Sequence, residues 1–512
     1  MIEKLSGIKL NIGKDESALV RIAEKKLGVK PSYFRILKKS LDARNKNDIF
    51  LTYSIEFSSD EFPPKEEIAR VPEKNLPSDP VVIVGAGPCG LSCAVRLIDY
   101  GIKPIVVERG DPVDERVKKT ELFAKEKILD EESNIQFGEG GAGTFSDGKL
   151  NTQTHSGYNK QVFDTLIKFG APAEIAYLNK PHIGSDKLRG VVKNMRTYIE
   201  NNGGKVLFRT KLVDISAANG TIKSIALENN GKTAKISLYA LVLALGHSAR
   251  DTFYMLKNKG VNMRAKDFAI GLRIEHLQKD IGFAQYGKKY PLLPAADYKL
   301  VSHAGERACF SFCMCPGGFV MPAASEINSL VTNGMSNYAR SGTNANSALI
   351  VPVTSADFRG DDPLSGVEFQ RDLERKAFVA GGADYCAPVQ LIGDFLANKK
   401  STAFGSVLPT YPGTRFAEMN KILPAPIVSS IALAIKDMDK KLRGFADKNA
   451  VFTAVESRTS SPVRIERGEN LTSPFASNLY PCGEGAGYSG GITSSSADGL
   501  RVADAIAKLL SK

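Results

Sequence analysis

Two histidines stand where acid and base work could be done, His247 in LALGHSAR and His276 in GLRIEH. His276 has Arg273 and Glu275 beside it, and a neighbouring carboxylate raises a histidine's proton affinity into the neutral range. His247 follows Gly246 at the end of an apolar run. The run CFSFCMCPGG sets Cys313 and Cys315 two residues apart with Cys309 close by. That spacing is open to a redox pair, to a thiolate lying against a cofactor ring, or to a metal site; four-ligand metal spacing is absent, and buried apolar cysteine is the plainer alternative. Arg458 and Arg464 in VESRTSSPVRIER carry guanidinium forks suited to a substrate carboxylate or a ring carbonyl, with surface ion pairing as the competing role. Tyr298 and Lys299 in ADYKL are weaker candidates of the same kind.

Such side chains need a frame, and residues 79 to 110 supply its first part: DPVVIVGAGPCGLSCAVRLIDYGIKPIVVERG. VVIVGAG is a short, β-branched run of the type buried on both faces in a parallel sheet. CGLSCAVRLIDYG has helical apolar spacing and stops at Gly101, and KPIVVERG is a second buried strand. Gly85, Gly87 and Gly90 fall on the GxGxxG spacing at the strand-to-helix turn, where glycine allows the tight bend, the close approach of a pyrophosphate and the packing of helix on strand. The helix N-terminus then offers free N–H groups and about half a positive charge. Glu108, eighteen residues past Gly90, ends the next strand where it can accept hydrogen bonds from an adenosine ribose. Cys89 and Cys93 read as packing residues of that helix.

This fingerprint fits any adenine dinucleotide, nicotinamide or flavin. Two further glycine-rich segments point to the longer one. FGEGGAGTFSDGKL, residues 137 to 150, holds Gly141, Gly143 and Ser146 within reach of the pyrophosphate or ring. LYPCGEGAGYSGGITSSSADG, residues 479 to 499, puts Gly483 and Glu484 after a short strand and Gly491 and Ile492 before a helix. A nicotinamide site has no need of a distant C-terminal glycine loop, whereas an extended FAD does. With one full fingerprint, NADH or NADPH is expected only as a transient electron donor.

A chain of 512 residues exceeds one hydrophobic core and predicts two or three domains. Its 43% hydrophobic and 24% charged residues are those of a globular protein. No apolar window is long enough for a membrane span, no secretory signal is read at the N-terminus, and seven cysteines, an odd count, suit a reducing compartment such as the cytoplasm. Of the net charge of +12, residues 1 to 48 contribute +6, from twelve basic against six acidic residues. Residues 1–57 read as a small α+β module compatible with a ferredoxin-like arrangement, and 58–78, rich in proline and charge, as a linker. Residues 79–267 read as the first part of a dinucleotide-binding domain, 268–451 as a substrate or cap domain, and 452–512 as the second part. No internal repeat is visible.

The chain resembles a bacterial family of FAD-dependent dehydrogenases within the glutathione-reductase superfamily, in the branch without a separate nicotinamide domain. FGEGGAGTFSDGKL, PHIGSDKLRGVVKNMR, LALGHSARDTF, GLRIEH, FCMCPGGFV, NGMSNYARSGTNANSALIV, VESRTSSPVRIER and YPCGEGAGYSGGITSSSADGLRVADAI carry the resemblance over most of residues 79 to 512. It implies an α/β fold, a Rossmann-like FAD-binding domain with an inserted α+β domain. It also implies that Gly85, Gly87, Gly90, Glu108 and Arg109 hold the ADP end, that Gly246 sits at an ATG-like strand end written here ALG, and that Glu484, Gly491 and Ile492 touch the ribityl chain and flavin. In this superfamily the helix opening near Thr493 points its N-terminus at the flavin ring. The expected function is hydride transfer between FAD and a small-molecule substrate, an acidic one if Arg458 or Arg464 is its clamp. The alternatives are an RNA-modifying flavoprotein that uses the basic N-terminal module and a flavin-binding sensor without catalysis. The CxxxxC of disulfide reductases is missing beside the first glycine turn.

Overall fold

The computed structural model describes residues 2–60, 68–152, 156–358 and 360–511. Part of the expected linker, residues 61–67, therefore lies outside the described residues. The N-terminal unit runs β1 (Glu3–Asn11), α1 (Ser17–Leu27), β2 (Tyr33–Asp42), β3 (Phe50–Ser58), with antiparallel sheet order β1-β3-β2. This is the first βαββ of a ferredoxin-like arrangement. Leu19 and Ala23 of α1 close its small core over Tyr53, Ile55 and Phe57. The unit is stitched to the main body: the Lys39 amide donates to the Tyr177 carbonyl at 2.8 Å, and Lys46 Nζ to the Ala284 carbonyl at 2.7 Å.

The dinucleotide-binding body follows in chain order as β4 (Val81–Val84), α2 (Pro88–Asp99), β5 (Ile105–Val107), α3 (Val113–Glu126), α4 (Tyr158–Lys168), α5 (Ser185–Asn201), β6 (Lys205–Leu207), an antiparallel meander β7 (Thr210–Ala218), β8 (Thr221–Asn229) and β9 (Lys232–Ser237), then β10 (Ala240–Leu243), α6 (Arg250–Asn258) and β11 (Met263–Ala265). The inserted domain comprises β12 (Phe268–Leu277), α7 (Gln278–Tyr286), β13 (Val301–Ser302), β14 (Cys309–Cys315), β15 (Phe319–Pro322), β16 (Thr332–Met335), β17 (Asn344–Val353), α8 (Ser365–Ala380), β18 (Ala387–Leu391), α9 (Ile392–Leu396), β19 (Thr414–Phe416), α10 (Ala425–Lys441) and β20 (Val451–Glu456). The chain returns through β21 (Val463–Ile465), β22 (Leu479–Pro481) and α11 (Ile492–Leu510).

A five-stranded parallel sheet, order β22-β10-β4-β5-β6, is the centre of the first body. β4 and β10 are buried at every residue, which is why VVIV and ALVL carry no polar alternation. α2, α5 and α11 cover one face, and the β7–β9 meander with α6 covers the other. α11 lies directly on α2, because Gly499 has no side chain to strike the Cys89 carbonyl.

The inserted domain is built on a seven-stranded mixed sheet, order β13-β14-β17-β12-β20-β18-β19. Ile427, Ile431, Ala434, Ile435 and Met438 of α10 pack on one side of it, each large side chain adding about 1.5–3 kcal/mol by its burial. The short β15–β16 hairpin covers part of the other side, with Gly334 set against the Arg273 guanidinium. One boundary differs from the sequence reading. β20 pairs with β12 and β18, so the inserted sheet extends to Glu456 rather than ending at residue 451. The β11–β21 ladder, where the chain enters and leaves, joins the two bodies.

Candidate functional site

β4 ends at Val84 and the chain turns through Gly85 into α2. Gly85 holds φ at 108°, and a side chain there would collide with the Ala244 carbonyl beyond β10, while one on Gly90 would collide with the Gly85 carbonyl. Strand, turn and helix close on one another only as glycine backbone. α2 begins with Gly87 as its N-cap and no capping side chain, leaving first-turn N–H groups for an anion. The Glu108 carboxylate fastens this turn to its neighbours: Oε2 accepts the Ala86 N–H at 2.8 Å, and Oε1 accepts those of Gly110 and Gly138, both at 2.9 Å. Oε2 keeps a second lone pair for a ribose hydroxyl. Arg109 is committed elsewhere. Its guanidinium donates to Glu132 at 2.6 Å and Asp251 at 2.8 Å and lies 4.2 Å over the Phe137 ring, so it builds the wall beside the turn.

The other two glycine segments arrive at the same place. A Cβ on Gly141 would stand 3.1 Å from Gly87 Cα, and one on Gly143 would stand 3.0 Å from Ile492 Cγ1 and 3.5 Å from Pro88 Cγ. Thr493 Oγ1, in the first turn of α11, donates to the Leu150 carbonyl at 2.8 Å. Ser146 serves its own loop, donating to the Gly143 carbonyl at 2.7 Å. The Gly483 N–H donates to Asp498 of α11 at 2.8 Å, and Arg467 holds that carboxylate at 2.7 Å. Gly246, Gly490 and Gly491 border open space, for a Cβ on any of them would meet nothing within 4 Å. α11 starts at Ile492 with Gly491 as N-cap and no capping side chain. Burial pushes the half-buried Glu484 carboxyl up to about 7, against the pull of the Gly491 amide and Lys266.

Arg273 is fully buried at the centre of a polar cluster under the β15–β16 hairpin. Its Nε donates to Asn346 Oδ1 at 2.9 Å, Nη1 to Glu456 at 3.2 Å, and Nη2 to the Cys313 carbonyl at 2.7 Å, with Cys315 Sγ at 3.5 Å. Burial pushes Glu456 up to about 7 in spite of Arg273. The sequence reading missed Glu456, although it stands two residues before Arg458 in a run already singled out.

His276 does not join this group. Alternation along β12 sends it to the opposite face, where Nε2 donates to the Phe445 carbonyl at 2.8 Å and the ring packs 5.0 Å from that of Phe445. Burial lowers its proton affinity. His276→Leu is therefore expected to cost about 1–3 kcal/mol of stability through the unpaired carbonyl and to leave the visible absorbance spectrum unchanged, checked by urea unfolding alongside that spectrum. Tyr298 lies on the same side, hydrogen-bonded to Ser347 at 2.9 Å, and Lys299 is exposed.

Arg458 is not a free clamp either. With Arg250 it grips one buried carboxylate, Glu374, at 2.8–2.9 Å, and its Nη1 also donates to Ser248 Oγ at 3.0 Å. The signal for Glu374 was present in α8, where Gln370 and Glu374 occupy positions in helical register with the apolar Val367 and Ala377. Arg464 donates to the Gly487 carbonyl at 2.9 Å and lies 4.7 Å over the Tyr488 ring. His247 is half-buried beside the open space at Gly246, with Nδ1 2.9 Å from Ser248 Oγ. Burial, then Arg458 and Arg250, lower it to about 3, so it is neutral.

Comparison with known proteins gives this geometry a family. Residues 267–459 match the model of an FAD-dependent protein, C-terminal domain-like; residues 79–280 match that of a pyridine nucleotide-disulphide oxidoreductase; residues 1–58 match a domain of unknown function. An uncharacterized protein of Clostridium beijerinckii is 46% identical over 533 residues, covering 99% of this chain and 98% of its own. The chain belongs to a family of uncharacterised FAD-dependent oxidoreductases. Solved structures that it is similar to include a flavin-dependent brominase (13% identity, 84% of this chain and 79% of that one, TM-score 0.39) and a geranylgeranyl bacteriochlorophyll reductase-like protein of Thermoplasma acidophilum (11%, 85% and 78%, TM-score 0.36).

The cofactor of this flavoprotein is FAD. Its residues fit the group: two uncapped helix N-termini, α2 and α11, border the convergent glycine segments, and the open space at Gly246, Gly490 and Gly491 takes what a side chain would otherwise fill. Among the described residues, no group of three or more His, Cys, Asp or Glu could hold a metal ion, and no helix is long and apolar enough to cross a membrane.

Proposed function

We propose that this chain moves a hydride between a small-molecule substrate and FAD, with the substrate lodged between the inserted domain and the N-terminal end of α11. The supporting observation is the meeting of the three glycine segments at that end, close to strand β14: Thr493 of α11 bonds Leu150, and the neighbouring Lys149 Nζ bonds the Met314 carbonyl. Bound there, FAD supplies the two-electron chemistry. The chain supplies placement and charge. The first turn of α11 favours negative charge beside it by roughly 0.3–1 kcal/mol, up to about 2 where partly buried. Gly87, Gly141 and the α2 N-terminus bind the pyrophosphate, and Glu108 Oε2 a ribose hydroxyl. Glu456, with its carboxyl at about 7, holds or gives up a proton near neutrality. Half-buried Phe310 and exposed Phe312 of β14, paired with the buried Ile350 and Ala348, offer an accessible apolar surface suited to an apolar part of the substrate. NADH or NADPH acts as a transient donor.

An anaerobic titration of purified protein with NADH, NADPH and reduced metabolites tests this reading. The expected result is bleaching of the flavin absorbance by at least one of them; a flavin that none of them reduces would sink it.

A further inference from the structure

The antiparallel pairing of β14 with β17 breaks between Phe312 and Cys315. At the break Cys313 takes φ of 46°, left-handed backbone that a non-glycine residue adopts only when its surroundings impose it. The bulge turns the Cys315 thiol back onto Cys313, with Cys315 Sγ 3.3 Å from the Cys313 carbonyl oxygen. Cys313 is half-exposed, while Cys315 is fully buried. Cations approach from two elements: Arg273 of β12, 2.7 Å from the Cys313 carbonyl and 3.5 Å from Cys315 Sγ, and Lys149, bonded to the Met314 carbonyl.

The other charged groups facing the pair are Asp147, Glu456 and Glu484. The hydrogen bond from Cys315, followed by Arg273 and Lys149, outweighs burial and holds the Cys313 thiol below its ordinary value. Cys315 is raised. A partly accessible, more acidic thiol beside a buried, protonated one is the division of labour of an attacking and a resolving cysteine.

We propose that Cys313 and Cys315 are a redox-active dithiol that carries out thiol–disulfide exchange with a small disulfide, Cys313 attacking and Cys315 resolving. The Cys313 thiolate attacks one sulfur of R–S–S–R′; that bond breaks and R′S⁻ leaves and takes up a proton from solvent. Cys315 gives its proton to solvent and attacks Cys313 Sγ, releasing RS⁻, which is protonated in turn. Starting from the Cys313 thiolate and the Cys315 thiol, the pair loses two electrons and one proton, and the disulfide gains those two electrons and two protons, one of them net from solvent, to become two thiols. No flavin takes part, so failure of this proposal and failure of the hydride-transfer reading are separately visible.

The test uses reduced, full-length flavoprotein, with Cys386 as internal control. Cys386 is half-exposed, but burial raises its thiol. Iodoacetamide at neutral pH is expected to label Cys313 about tenfold faster than Cys386. With oxidised glutathione, mass mapping of the wild type is expected to show the peptide holding Cys313 and Cys315 lighter by two hydrogens. Cys315→Ser should stop at a glutathione adduct on Cys313, and Cys313→Ser should yield no adduct on Cys315. Wild-type protein that keeps both thiols free in oxidised glutathione, or labels Cys313 no faster than Cys386, overturns the proposal without reference to either variant.

Discussion

Gly87→Val yields a soluble, folded protein that has lost its yellow colour. The backbone at Gly87, φ of −77° and ψ of −175°, suits valine, and the new Cβ would meet only Gly141 Cα, at 3.8 Å. The fold therefore tolerates the change. The valine methyl groups, however, project into the gap between the first glycine turn and the 137–150 segment, where a pyrophosphate must approach backbone N–H groups. Flavin content after purification is expected to fall at least about tenfold, a loss of about 1.4 kcal/mol or more of binding. Far-ultraviolet circular dichroism should match that of wild type. A variant with full flavin content would contradict the site. Substitution at Gly85 or Gly90 is a poorer test, because there a side chain would strike backbone and misfolding would hide the effect on binding.

Glu374→Gln is expected to cost about 3–5 kcal/mol of stability, the largest single-residue loss outside the glycine turns. The carboxylate is fully buried and is the shared counter-charge of Arg250 and Arg458, two guanidinium groups that are themselves almost inaccessible. Glutamine keeps the shape and removes the charge. Among the described residues, Glu326, 2.6 Å from Arg250, is the one further carboxylate bonded to the pair, and it also serves Arg371. The network spans the bodies: Arg250 begins α6, Glu374 lies in α8, and Arg458 follows β20. Urea unfolding should show an earlier midpoint, with the inserted domain loosening first.

The pH dependence has a definite sign. Burial alone would raise the Glu374 carboxyl, but Arg250 and Arg458 overcome it and hold the group far below its ordinary value. Because the folded-state value is depressed, its contribution is present above the unfolded value of about 4.3 and is lost as pH falls below that value. Wild-type protein should therefore lose stability on acidification more steeply between about pH 4.5 and 3 than Glu374→Gln. Parallel unfolding curves across that interval would show that the triad carries no such linkage.

Local chemistry decided much of the proposed dinucleotide site in advance. A buried strand, a glycine turn, a helix and an acid at the next strand end constrain one another over about thirty residues, so Gly85, Gly87, Gly90 and Glu108 are legible as a unit. Unbroken apolar runs and helical periodicity likewise specify β4, β10, α2, α5 and α11. The inserted domain was less legible. The strands of its large sheet are separated by long irregular connections, so local periodicity does not show which strands become neighbours, and the place of β20 in that sheet depends on pairing with β12, distant in sequence.

The candidate catalytic groups divide along the same line. His276, Arg273 and Glu275 are adjacent in sequence, and proximity there suggested a working trio. β-Strand alternation takes His276 to the other face, against Phe445, while Arg273 lies against the β15–β16 hairpin. Arg458 looked free because its partners lie 84 and 210 positions away. Sequence by itself determined the strands, glycine turns and helices of the proposed dinucleotide site, since each is encoded by neighbours within one turn or strand. Tertiary structure alone decided which buried charges meet: ionic contact falls within a few ångströms, and only the packed sheet brings Arg273, Glu456, Cys313 and Cys315 that close.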